Sequence, residues 1–425
     1  MLVILFIALV VAIGVRVLVG RRRQAAPTGS AVAAASPTFR VVALGVSGSG
    51  KTVFLASMFH RLHIRSPGGS YFLETDAAQR VALGQVFGKI ADARAPWPPG
   101  TDVGQTREFT FDCMAFDEGT KHKIMTINYL DFAGELLESQ QEAGGTALAD
   151  LEERIKGAHA LLGMIDGHRV LQLLRGEPAG HAYFHSSIQP MIGFMASATC
   201  PIHFVVTKWD LVRGFGEPPD ASDDQRLRLV RDMLMDAMQL DALVSRQGVV
   251  RRIVRLIPVS AVGVDYARID DRGQVVKRPE GVPRPTNLEV PLAAVLPDLF
   301  RQVEASLDAS VRAEIDARVR SHMRLSPRDT VALAARLLGA PAGAILRTGL
   351  QLGTTRAYGD EIVTMFLDWM GSPFADKSGV VERSRREAEE HTELVRELRD
   401  QMFKEFETTV LRLELDLSAS RLSGW

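Results

Sequence analysis

Cysteine is nearly absent. The 425 residues hold 2, Cys113 and Cys200, far apart and outside any CxxC or Cys/His spacing. That excludes a disulfide framework and a structural zinc site, and it points to a reducing compartment. An excess of one charge is missing too: 50 Lys+Arg stand against 51 Asp+Glu, a net −1, so no nucleic-acid partner held by bulk charge is expected. The 10 histidines are scattered without HExxH, and no GxSxG occurs, so metallohydrolase and serine-hydrolase chemistry have no support. What is present is ordinary for globular chains, 46% apolar and 24% charged, which rules out wholesale disorder. Such a length accommodates roughly two or three domains.

Long apolar runs are also scarce, with one exception at the start. Leu2 to Val15 is unbroken, Arg16 interrupts, Val17 to Gly20 resume, and Arg21-Arg22-Arg23 end the run. About 18 residues precede the basic cluster, close to the ~20 that cross a hydrocarbon core. A cleaved signal would begin basic and be shorter; here the positive charge lies on the far side. Residues 1–20 are therefore expected to form a single-pass transmembrane helix, with Arg16 snorkelling near its end. The positive-inside tendency places everything after it in the cytoplasm. Residues 21–38 read as the basic cluster and a flexible small-residue linker.

Phe39 to Gly45 reads as a short buried strand running into GVSGSGKT, Gly45 to Thr52, and then into helical apolar spacing. Strand, glycine loop and helix are the context a phosphate-binding loop requires. Gly45, Ser47, Gly48, Ser49 and Gly50 would turn backbone N–H groups onto phosphate oxygens, and the following helix adds its positive dipole end. Lys51 would bridge the terminal phosphates, and the Thr52 hydroxyl would sit on Mg²⁺.

Later motifs follow strands in turn. Ile124 to Leu130 ends in Asp131-Phe132-Ala133-Gly134-Glu135, a DxxG in which Asp131 would hold the metal through water and the Gly134 amide would meet the terminal phosphate. Pro201 to Val206 ends in Thr207-Lys208-Trp209-Asp210. A carboxylate at Asp210 can accept from the N1–H and amine of guanine, which adenine lacks, while the Lys208 stem lies along the ring. Arg252 to Ile257 leads to Pro258-Val259-Ser260-Ala261, whose amides would contact the guanine carbonyl.

These motifs together resemble the P-loop GTPases of the translation-factor and small-GTPase class, over roughly 39–307. The resemblance implies an α/β fold with a mostly parallel sheet and helices on both faces, GTP or GDP as ligand, and Mg²⁺. It also implies a switch threonine that closes over the metal; Thr106, ahead of a hairpin of Glu108 to Phe116 and His122 to Leu130, is the choice, with Thr101 as rival. Lys51, Thr106, Gly134 and Glu135 would then surround the terminal phosphate. Within the class, the tethered architecture resembles the beta subunit of the signal-recognition-particle receptor, while the enlarged switch region and DxxGE resemble bacterial double-GTPase proteins.

Two departures stand out. Residues 66–104 are longer than in Ras-like proteins and include a helix over Thr75 to Ala93, resembling an inserted lid or docking element. Glu135 occupies the position where Ras-like proteins carry the glutamine that orients water, so intrinsic hydrolysis is expected to be slow, or absent in a non-hydrolysing scaffold. Asp166, at the end of a strand from Leu161, reads as a helix cap or a nucleotide-site residue. Residues 308–425 are expected to form a helical module. There Leu337 to Leu346 is too short to span a bilayer, Leu394, Leu398, Met402 and Phe406 mark one helical face, and the alternation Leu411 to Leu417 fits strand or helix equally. The insertion and the C-terminal helices are the candidate surfaces for a protein partner or self-association.

Overall fold

The structure, a computed structural model, describes residues 36–66, 68–99, 106–132, 145–216, 221–238, 252–303 and 383–422. The expected anchor 1–20, Thr101, Gly134, Glu135 and all of 308–382 lie outside the described residues. Among the described residues, no helix is long and apolar enough to cross a membrane.

Seven strands make one sheet: β1 (Thr38–Leu44), β2 (Phe72–Glu74), β3 (Arg107–Asp117), β4 (Thr120–Asp131), β5 (Ala160–Asp166), β6 (Ile202–Thr207) and β7 (Val254–Pro258). Their order is β2-β3-β4-β1-β5-β6-β7, with β1, β4, β5, β6 and β7 parallel and β2 and β3 antiparallel additions. Every residue of β5, β6 and β7 is buried, so these strands are covered on both faces, as their continuous apolar sequences require. The hairpin β3–β4 turns at Glu118 and Gly119, both with positive φ, which matches the twist of a two-residue turn.

The chain leaves β1 toward β4 on one side and later returns to build β5 to β7 on the other. The reversal puts the loop after β1 at the switch point of the sheet, where open α/β sheets carry a crevice at their carboxyl ends. Register makes the placement concrete: Ala43 pairs with Asp131 on one side and Leu162 on the other, while Asp166 pairs with Thr207.

Helix α1 (Lys51–Leu62) starts directly from the glycine loop, and α2 (Ala77–Ala91) is capped by Asp76, whose carboxylate accepts from Gln79 N–H at 2.9 Å. Beyond β5, Asp166 caps α3 (Gly167–Leu174) by accepting from His168 N–H at 2.9 Å. A small antiparallel pair, β8 (Ala267–Ile269) and β9 (Val275–Lys277), follows β7.

At the C-terminus, α4 (Arg383–Asp416) decides the undecided alternation in favour of helix. Val410, Leu413 and Leu417 are buried while Leu411 and Leu415 are exposed, a spacing that one helical face provides and a strand would not. Leu398, Met402 and Phe406 belong to the same buried face. Phe406 meets Tyr71 edge-on at 4.8 Å, Phe403 stacks on Phe300, and Leu422 N–H donates to Val254 O at 3.0 Å beside β7. The segment from Pro37 onward is one compact unit, and α4 contributes to its core.

Beneath α4, Arg255 of β7 forks onto Asp298, with Nη2 to Oδ1 at 2.6 Å, and reaches Glu414 at 2.6 Å. His203 of β6 also meets Asp298, at 2.9 Å. Burial would raise the Asp298 carboxyl, but Arg255 and His203 outweigh it and hold it well below the usual range.

Candidate nucleotide-binding site

The loop after β1 is shaped by glycines. A Cβ at Gly45 would lie 2.8 Å from Met164, and Gly50 has φ 92°, so neither position admits another residue without strain. Thr207 locks the loop from β6: its hydroxyl lies 2.7 Å from Ser49 O and 3.1 Å from Ile165 O. Lys51 is buried, and its amine donates to Gly45 O and, at 3.2 Å, to Val46 O. Its ammonium is therefore held under the loop, where incoming phosphate oxygens would compete for it with main-chain carbonyls.

A cleft of about 290 Å³ opens over this loop. Ser47 to Phe54 line it, including Gly48, Ser49, Gly50, Lys51 and Thr52, together with Thr207, Lys208, Asp210 and Ala261. Sequence-distant motifs thus share one cavity. Lys208 adopts φ 51° and sends Nζ to Asp166 Oδ2 at 2.8 Å and to Gly48 O at 3.1 Å, so its stem links the segment carrying Asp210 to the glycine loop. Asp166 is thereby the expected helix cap and also a partner of Lys208; it is not on the wall of this cleft.

Asp210 is half-buried, and its partial desolvation pushes its carboxyl up from the ordinary value against the opposing pull of the Ser260 hydroxyl and main-chain N–H. Ser260 Oγ donates to Asp210 and accepts from Gly263 N–H at 2.7 Å, fixing the carboxylate's orientation. The Ser260 main-chain N–H is itself taken by Thr286 O at 3.2 Å. Of the expected base-contacting pair, Ala261 is the one on the cavity wall.

Asp131 ends β4 with 2% of its surface exposed, and burial raises its carboxyl while Lys51 and Arg107 oppose the rise. Its Oδ1 is buried without a hydrogen-bond partner. Among the described residues no group of three His, Cys, Asp or Glu could hold a metal by itself. One orphaned carboxylate beside a threonine helix start fits Mg²⁺, which takes few protein ligands and completes its shell with phosphate and water. It does not fit zinc.

Thr106 is exposed, next to the Arg107 that pairs across the ladder with Asp131, and it is not on the cavity wall. Conversely, the wall includes Trp97, Pro98 and Pro99 of the insertion, with Ala267 and Val275 from β8 and β9. The only sequence signal for these was the aromatic-proline cluster WPP, with no indication of what it faces.

No family model matches the chain, and no curated protein matches it. Among solved structures, it is similar to the S. cerevisiae Ski7 GTPase-like domain bound to GDP and inorganic phosphate, at 11% identity and TM-score 0.33, covering 58% of this chain and 48% of that one. The same Ski7 domain bound to GTP gives 11% identity and TM-score 0.31 over 55% and 45%. Sup35 complexed with GDP gives 12% identity and TM-score 0.28 over 58% and 44%, so the chain spans less than half the length of each of these.

Proposed function

We propose that this protein binds guanine nucleotide and acts as a Mg²⁺-dependent GTPase switch, tethered by residues 1–20 to the cytoplasmic face of a membrane. The observation that carries the reading is Asp210: a half-buried carboxylate, oriented by Ser260, on the wall of the same cavity that the glycine loop and Lys51 line. An acceptor-only group in that position rewards two donors on one base edge and is left unpaired by adenine.

In this reading the loop amides of Gly45 to Gly50 and the Lys51 ammonium hold phosphate charge, and Thr52, Asp131 and Thr106 would hold Mg²⁺. The metal would supply charge neutralisation across the phosphate oxygens. The chain's own contribution is positioning: Thr207 fixes the loop, Lys208 ties the loop's Gly48 carbonyl to the segment carrying Asp210, and Lys51 stabilises the charge that develops on the terminal phosphate.

Gly134 and Glu135 would stand beside that phosphate. Glu135, a carboxylate where related motifs carry glutamine, favours a second reading in which GTP is bound and not turned over, and the protein recruits partners through its insertion or C-terminal helices.

The test is a binding titration and single-turnover assay of the full-length protein with GTP and ATP, with and without Mg²⁺. GTP-selective turnover is expected; tight GTP binding without turnover selects the scaffold reading, and equal use of ATP overturns the guanine assignment. Lys51→Ala should lower nucleotide affinity by on the order of 100-fold or more. For the tether, deleting residues 1–23 should move the protein from the membrane to the soluble fraction, and continued sedimentation with membranes would refute it.

A further inference from the structure

Two segments outside the sheet meet over the cavity. One is the insertion from α2 to Pro99, and the other is the β8–β9 hairpin, which follows directly on Ser260-Ala261 and packs against the turn Trp209–Val212 that carries Asp210. Their contacts are specific. Trp97 Nε1 donates to Val275 O at 2.9 Å, across 178 positions of sequence. The Lys277 ammonium sits 4.8 Å from the Trp97 ring centroid and donates to Asp92 O at 2.9 Å and to Lys89 O. Tyr266, immediately before β8, gives its hydroxyl proton to Ile90 O and meets the Trp97 ring edge-on at 6.2 Å.

We infer that Trp97, clasped by Val275 and Lys277, is a nucleotide-contacting residue that closes the base end of the cavity and slows nucleotide release. The inference rests on the guanine-nucleotide reading and deepens it. Trp97 is half-buried, its indole N–H is used, and Lys277 lies over its ring, so its rotamer is set before any ligand arrives. A rigid indole on the wall of the cavity that holds Lys208 and Asp210 offers aromatic surface to a base or ribose at little entropic loss. Because the clasp joins the insertion to the hairpin, a nucleotide leaving past Trp97 must part it. Lys277 is a positioning residue in this account, since it touches the indole and the α2 end and is not on the cavity wall.

The experiment is release of N-methylanthraniloyl-GDP from the full-length protein, chased with excess GDP, in the wild type and in Trp97→Ala, Trp97→Phe, Lys277→Met and Lys277→Arg. Trp97→Ala should release about tenfold faster, the scale of losing one base–aromatic contact, with Trp97→Phe within about threefold of wild type. Lys277→Met should accelerate release by a smaller factor, and Lys277→Arg should restore it, a recovery that mere loss of fold would not show. Tryptophan emission gives a second readout: the nucleotide-dependent change should shrink in Trp97→Phe, leaving only the response of the other tryptophans, chiefly Trp209 beside Asp210. Wild-type release rates in Trp97→Ala, in a protein that binds GDP, overturn this inference alone. A wild-type protein that binds no guanine nucleotide overturns it together with the proposed function.

Discussion

Half-buried Asp210 and buried His159 show how removal from water becomes testable behaviour. Burial raises the Asp210 carboxyl, and the Ser260 hydroxyl keeps it pointed and ready to accept. Asp210→Asn replaces one acceptor oxygen with a donor, so it should weaken GTP by about 3 kcal/mol, on the order of 100-fold, and favour xanthosine triphosphate, whose base edge presents an acceptor instead. Competition between the two triphosphates measures this, and undiminished preference for GTP in the variant would falsify the role. His159 is a different case. Its ring lies under β1, Nδ1 accepts from Arg40 N–H at 3.0 Å, and burial, then Arg40, push it down to about 4. An unfolded chain protonates this imidazole near 6.5. Between these values the unfolded state holds a proton that the folded state refuses, so stability must fall as pH drops from about 6.5 to 4, by about 3 kcal/mol in all. His159→Asn keeps an acceptor for Arg40 and cannot titrate. Urea melts across that window should lose about one proton's worth of slope in the variant, and identical slopes would show that the ring is not buried neutral.

At the scale of elements, the sequence was legible wherever structure is local. The strand-loop-helix of residues 38–62, the β3–β4 hairpin, α2 and the strands before Lys208 and Ser260 all sit within a residue or two of where apolar runs and turn residues put them. The phosphate and base motifs were legible for the same reason, since each is a short string at a strand end. What sequence could not carry was contact across long separations. Arg255, Asp298 and Glu414 lie on three elements whose apolar patterns say nothing of a shared buried charge, and Trp97 finds Val275 only because the irregular segment after α2 meets the distant strand β9. The Leu411 to Leu417 stretch was ambiguous because its alternation favours a strand while its adjacency to the preceding helix favours continuation; the burial of Val410 and Leu413 with Leu411 and Leu415 exposed selects the helix. The packing of α4 yields its own prediction. Phe406 is 1% exposed between Tyr71 and the core, so Phe406→Ala should cost about 3–5 kcal/mol of stability. A chemical melt shifted by under 1 kcal/mol would mean that α4 is not packed there.

The whole molecule raises the question of what the C-terminal segment is for. A helical module appended after the last sheet helix would be separable, and a chain ending at residue 382 would then keep its melting point and its nucleotide affinity. The packing argues otherwise. β7 is the last strand of the sheet, and the segment after α4 covers it, with Leu422 N–H donating to Val254 O. Without the segment that edge is open to pairing with another chain. Glu405 accepts from Ser70 N–H at 2.6 Å just before β2, so α4 also touches the chain where the insertion begins. Removing the segment would strip Glu414 from buried Arg255 and uncover Tyr71 and Phe300. Loss of such a face exceeds the few kcal/mol by which domains of this size are stable. The chain ending at residue 382 should therefore aggregate or melt well below the full-length protein, measured by soluble yield and thermal unfolding side by side. Equal melting points would establish instead that the sheet folds without α4 and that α4 is a detachable arm.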